Sequence, residues 1–234
     1  MFSIFGKKDK KPAEPAIPPV LLAMRETLYS SPALEPTLQR LKDRANAPFP
    51  WANFVEAQQA LQNGDKARAI SLLKQIVETD GLETRIYLQA WHTLMSLGEQ
   101  PPADLQAKIQ GVVLEYHMDK GLDIVAGYAD HTARYWNYSG TGIVWDARNP
   151  EIDQAIDHLL AVGQQIMNSI GAEPREPLPI PPKGNMRIFL MSYGGSSFGQ
   201  GIYEQLSQDK MGGAAINAGY KLMTKLINAQ KQRK

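Results

Sequence analysis

Apolar residues recur at helical spacing through the first half of the chain and alternate through much of the second, with the change near Gln110. Two helices are predicted near 20–29 and 33–45, the second with Leu34, Leu38 and Leu41 on one face. Pro48 and Pro50 interrupt the pattern. Three further helices are predicted at 51–62, 66–79 and 82–97, with stripes such as Phe54/Val55/Leu61 and Ala69/Leu73/Ile76. Between the first two of these, Gly64 can take the left-handed conformation that ends a helix, and Asp65 can cap the next. The helix at 82–97 is apolar over much of its circumference through Leu82, Ile86, Leu88, Trp91, Leu94 and Met95, so it must bury more than one face.

After Gln110 the period shortens. Strands are predicted at 112–118, 122–129, 133–138 and through Ile143-Val144-Trp145, separated by Asp119-Lys120-Gly121, Asp130-His131-Thr132 and Ser139-Gly140-Thr141-Gly142. Such short turns imply an antiparallel meander. A helix at about 150–170 follows, with Asn149 as its cap and Pro150 in its first turn. A proline-rich connection at 172–184 leads to a strand at 186–193, a return through Ser197-Phe198-Gly199, and a last helix at about 212–229. The expectation is an α+β fold in which N-terminal helical hairpins pack on a C-terminal antiparallel sheet with two helices, in the order β-β-β-β-α-β-β-α. Residues 1–19, rich in Lys, Pro and Ala, are expected to be a disordered leader. The helical segment 20–110 and the α+β part 111–230 are expected to form one cooperative unit, because the link from Gln110 to Val112 is too short to be free.

The stretch Ala57 to Asp80, with Gly64-Asp65 in the turn and Ala69 four residues on, resembles one tetratricopeptide helix pair. A shift by the repeat period of about 34 residues places Gly98-Glu99 under Gly64-Asp65 and Ala103 under Ala69. The resemblance implies stacked hairpins with a surface for protein partners. A longer block also resembles a widespread set of bacterial proteins of no assigned activity. It runs from Gly121-Leu122-Asp123 through Asp130-His131-Thr132-Ala133-Arg134-Tyr135 and Asn137-Tyr138-Ser139-Gly140 to Ser197-Phe198-Gly199-Gln200-Gly201. It implies a bacterial protein and no particular chemistry.

Composition narrows the function classes. The chain has 234 residues and no cysteine, which excludes disulfides, thiolate metal sites and cysteine nucleophiles. Net charge is +1, but residues 1–12 carry +3 and residues 221–234 carry +5, leaving −7 between them. A mildly acidic body with basic ends does not suit nucleic acid, although the ends can touch anionic surfaces weakly. No apolar run is long enough to span a bilayer, and the N-terminus has no signal-peptide order. A cytoplasmic location is expected.

The chemical motifs are ambiguous. Gly195-Ser196-Ser197-Phe198-Gly199 matches the G-x-S-x-G elbow of serine hydrolases, yet no histidine follows Ser197. The glycines at 194–201 can cradle a phosphate, but no basic residue occurs until Lys210. His117 and Asp119 share a strand face, as metal ligands would, without a third partner in view. On the third strand, Tyr135 and Asn137 face one way and Arg134, Trp136 and Tyr138 the other. The leading expectation is a non-enzymatic interaction module with a protein partner, no cofactor and no metal. The alternative is a small-molecule sensor or unfamiliar enzyme, with a pocket between the meander and the Gly-rich turn. Candidate binding residues are His117, Asp130, His131, Arg134, Tyr135, Asn137, Ser197 and Gln200.

Overall fold

The structure is a computed structural model, and it describes residues 17–29, 38, 46–173 and 178–233. Residues 1–16 of the expected leader (1–19) and the expected helix at 33–45, apart from Leu38, lie outside the described residues.

Three helices open the well-packed body: α2 (Trp51–Gln62), α3 (Lys66–Val77) and α4 (Thr84–Ser96), preceded by α1 (Pro19–Glu26). The turn between α2 and α3 forms as its residues dictate. Gly64 has φ +77°, and the Asp65 carboxylate accepts from the Arg68 N–H at 3.0 Å. Phe54, Ala57, Ala60, Ala69, Leu73, Ile76, Ala90 and Leu94 form the hairpin core. Ala57, Ala69 and Ala90 are fully buried there, so small side chains let the helices approach. A short α5 (Ala103–Gln106) ends the helical part.

The sheet contains β1 (Ile109–Met118), β2 (Gly121–Tyr128), β3 (Ala133–Trp136), β4 (Gly142–Trp145), β5 (Asn185–Ser192) and β6 (Gly195–Ile202). Its order is β4-β3-β2-β1-β5-β6, and every pair is antiparallel. The long α6 (Pro150–Ile170) joins β4 to β5, and α7 (Tyr203–Gln208) and α8 (Lys210–Gln232) complete the chain. Asn149 caps α6 through the Glu151 and Ile152 N–H groups, at 3.0 and 3.2 Å. Asp209 caps α8 in the same way.

Alternation along the strands sorts side chains onto two faces. Val112, Leu114, Ile188 and Leu190 meet Ile156, Leu159, Ile216 and Leu222 from α6 and α8. Val113, Ile124, Tyr128, Phe189 and Met191 meet Leu21 and Leu28 near α1, and Leu88 of α4. Helix α4 therefore buries Leu88 against the sheet and Ala90 and Leu94 against the hairpin. The fold is α+β, with helical hairpins packed on an antiparallel sheet, as expected.

Differences are local. The third strand stops at Trp136, two residues early, because the Asn137 carboxamide oxygen accepts from the Ser139 and Thr141 N–H groups and closes a turn. The first strand starts at Ile109, where Gln164 of α6 accepts from its N–H at 2.8 Å. The last helix runs from Lys210 rather than 212, since Asp209 rather than a later residue provides the cap. Gly142 passes so close to the Trp136 ring that any Cβ there would overlap it.

Candidate functional site

The candidate residues do not converge on one site. The meander and the Gly-rich turn occupy different parts of the sheet: β3 and β6 are separated by β2, β1 and β5. At about 4.8 Å per strand spacing, that is about 19 Å. The strand order, which places β5 beside β1, keeps the β3 candidates apart from Ser197 and Gln200, while His117 on β1 lies nearer to β6.

Each candidate has a specific local partner instead. Asp130 Oδ2 accepts from the Thr84 N–H at 2.6 Å and so caps the start of α4, while its Oδ1 accepts from Thr132. Arg134 is buried, and its guanidinium reaches Glu83 at 3.1 Å and Asp146 at 2.7 Å. The Glu83 contact joins the meander to α4, and the Asp146 contact ties β3 to the end of β4. His131, at φ +62°, lies 2.9 Å from Asp157 of α6. Asn137 holds the turn described above. The Ser197 hydroxyl donates to the Gly171 carbonyl and lies within β6, not on a strand-to-helix turn, so the elbow geometry is missing. The start of the Gly-rich segment is packed against protein, since a Cβ on Gly194 would meet the Gln106 carbonyl and one on Gly195 the Glu173 backbone, whereas Gly199 has open space beside it. No group of three or more His, Asp or Glu side chains suited to a metal occurs among the described residues.

His117 and Gln200 flank a buried ionic cluster that periodicity did not flag. Glu115 faces the α1 side of β1, directly opposite Arg187 on β5, which in turn faces Gln200 on β6. Arg25 of α1 grips both Glu115 oxygens, and Arg187 donates to Oε2 at 3.1 Å. The Leu178 and Pro179 carbonyls each accept from a guanidinium at 2.7 Å. Gln200 accepts from Arg187 at 2.6 and 3.0 Å, and the His117 ring approaches the Pro181 carbonyl at 2.9 Å. Tyr29 is buried beside Glu115 without a hydrogen bond of normal geometry, and burial, followed by the Glu115 charge, holds its hydroxyl well above the ordinary tyrosine pKa. The carboxylate accepts three charge-assisted hydrogen bonds, so the cluster ties α1 and the 178–181 segment to the sheet. Its signal in the sequence was a charge inside each of two apolar strands, Val113-Leu114-Glu115 and Met186-Arg187-Ile188.

Two open features lie on the opposite face. Tyr116, Asp123 and Met186 are neighbours across β1, β2 and β5. Tyr135 of β3 donates from its hydroxyl to Asp123 at 3.2 Å, and the Tyr138 N–H donates to the same carboxylate at 2.8 Å. Ile216, Gly219, Tyr220 and Met223 of α8, one helical face by their spacing, cover this row and leave a cavity of about 100 Å³. Tyr203 stacks on Tyr116 at 4.7 Å. Burial raises the Asp123 pKa, and burial first, then Asp123, pushes Tyr135 up to about 12. Tyr220 also borders the second feature, a groove of about 760 Å³ between the start of α6 and the outer face of α8. Asn217, Lys221, Thr224, Asn228 and Gln232 line it. Glu151 forms one side, hydrogen-bonded to Lys225 at 2.9 Å, which lowers the Glu151 pKa. Comparison with protein-family models, with curated proteins and with solved structures finds no match to this chain.

Proposed function

We propose that the protein is a non-catalytic, cytoplasmic binding module that holds an extended segment of a partner polypeptide in the groove between α6 and α8. The carrying observation is the lining of that groove. Asn217, Asn228 and Gln232 lie along one helix and present carboxamides, each offering a donor and an acceptor. That pairing suits a peptide backbone, which carries both at every residue. The span from Asn217 to Gln232 is about 22 Å at the helical rise, room for about seven extended residues. Lys221 and Lys225 against the single Glu151 favour an acidic segment.

The acid, base and nucleophile candidates support the same reading, because each is engaged within the fold. Asp130 caps α4, Arg134 pairs with Glu83 and Asp146, and Ser197 donates to Gly171. No helix among the described residues is long and apolar enough to cross a membrane, which suits a module working in an aqueous compartment.

Selection of displayed random peptides on the immobilised protein tests this reading. The enriched peptides should be acidic and should lose at least tenfold in affinity on Asn228→Arg, which fills the groove. Asn217→Arg should act alike, and Ser71→Arg on the exposed side of α3 should have no effect. Failure to enrich any sequence, or enriched peptides indifferent to both groove changes, would overturn it.

A further inference from the structure

The cavity beneath α8 is small, and its walls are of one kind. Tyr116, Tyr135 and Tyr220 surround it together with Met118, Met186 and Met223, and Asp123 supplies its carboxylate. No lysine or arginine lines it. We propose that this cavity binds a methylated ammonium group, either the head of a choline-type metabolite or the end of a trimethylated lysine side chain.

Four features select that chemistry. Size is the first: about 100 Å³ gives room for roughly three heavy atoms at liquid-like packing, the count of methyl groups on a trimethylammonium head. The second is the aromatic wall, since the negative faces of tyrosine rings attract a cation, most strongly where water is excluded. Two of these rings are braced beforehand, Tyr135 by its hydrogen bond to Asp123 and Tyr116 by stacking on Tyr203. The third is charge. Asp123 is half-buried in apolar surroundings, with hydroxyl and amide donors but no cation facing it from the lining. A bound cation would compensate that carboxylate.

The fourth feature separates methylated from unmethylated ammonium. A primary ammonium carries three N–H donors that need acceptors. The carboxylate already accepts from Tyr135 and Tyr138, and the remaining lining is methionine, isoleucine, leucine, valine and tyrosine. A cation without N–H donors loses nothing there. Its soft methyl surface also matches the thioethers of Met118, Met186 and Met223. Close approach of α8 keeps the cavity narrow: a Cβ on Gly219 would come within 2.9 Å of Leu114 Cδ2, so the backbone itself forms part of the roof.

The inference does not rest on the peptide groove, although Tyr220 borders both. It is tested by titrating the full chain with choline, with its neutral isostere 3,3-dimethylbutanol, and with a trimethyl-lysine peptide. Binding is read by calorimetry and by the methionine methyl signals in NMR spectra. Choline or the peptide should bind in the millimolar range or tighter and shift the Met118, Met186 and Met223 methyls. The neutral isostere should bind at least tenfold more weakly, the size expected of a desolvated cation–π contact. Asp123→Asn and Tyr220→Leu should each weaken the cation about tenfold, whereas Asn228→Arg, which fills the groove, should leave choline binding intact. The tighter of the two cations identifies the source. Equal binding of choline and its neutral isostere, or no methyl shift with either cation, would overturn the proposal. Loss of peptide selection with choline binding retained would overturn only the groove.

Discussion

A half-buried carboxylate among tyrosines carries a stability cost that can be measured. Burial raises the Asp123 pKa, so above about pH 4 the folded chain binds more protons at this position than the unfolded chain. Stability contributed here therefore falls as pH rises through the folded pKa. Asp123→Asn keeps an acceptor for the Tyr138 N–H and removes the charge. Its melting temperature at pH 7 should equal or exceed that of the parent, with less loss between pH 4 and 7. A melting temperature several degrees lower, followed by thermal denaturation against pH, would contradict this account. Asp130 works the other way. Its carboxylate satisfies an N–H at the start of α4 that the helix cannot, so Asp130→Ala should cost about 1–2 kcal/mol in urea unfolding.

At the scale of elements, the Arg25–Glu115–Arg187 cluster decides how α1 sits. Glu115 is fully buried, and two guanidiniums from α1 and β5 share its oxygens. Removing the one negative charge leaves two buried cations without a counterion. Glu115→Gln should therefore destabilise by about 3–5 kcal/mol. Replacing the whole cluster by Arg25→Met, Glu115→Leu and Arg187→Leu should restore most of that stability, since well-packed apolar groups avoid desolvating charge. If the triple variant were as unstable as the single one, the cluster would be stabilising in its own right.

Across the whole molecule, α4 joins the hairpin to the sheet. Leu88 packs on the sheet, Asp130 and Thr84 exchange hydrogen bonds, and Arg134 reaches Glu83. We expect the helical segment and the α+β part to stay together as one cooperative unit in limited proteolysis; early cleavage at 98–111 into two folded fragments would show separable halves. Alkaline titration gives a second global test. Burial raises the pKa of Tyr29, Tyr116, Tyr128, Tyr135, Tyr193 and Tyr220, with Tyr135, Tyr193 and Tyr220 pushed up to about 12. The folded state then holds more phenolic protons than the unfolded one above pH 10, so stability falls as pH rises toward 12. Absorbance of phenolate should show a late phase that coincides with unfolding. Complete ionisation of all nine tyrosines near pH 10 in the folded protein would refute it.

Local information was enough for the longer elements, although the short α5 and α7 were not predicted. The Gly64-Asp65 turn, the Asn149 cap and the alternation in 112–118 each act within a few residues, so the order of helices and strands was legible in the chain. Face assignment on the third strand followed as well: Tyr135 lies toward α8, and Arg134 and Trp136 lie on the other face. Partners across the sheet were not legible. Period tells which way a side chain points, but strand order tells what it meets, and β5 beside β1 is a nonlocal choice. That choice set Arg187 against Glu115, with Arg25 brought from 90 residues away. It also placed Met186 beside Tyr116, with Asp123 on the other side, forming the floor that α8 covers. The chain specifies a carboxylate and several tyrosines; only packing turns them into a cavity, because the cavity is made of contacts between segments far apart in sequence.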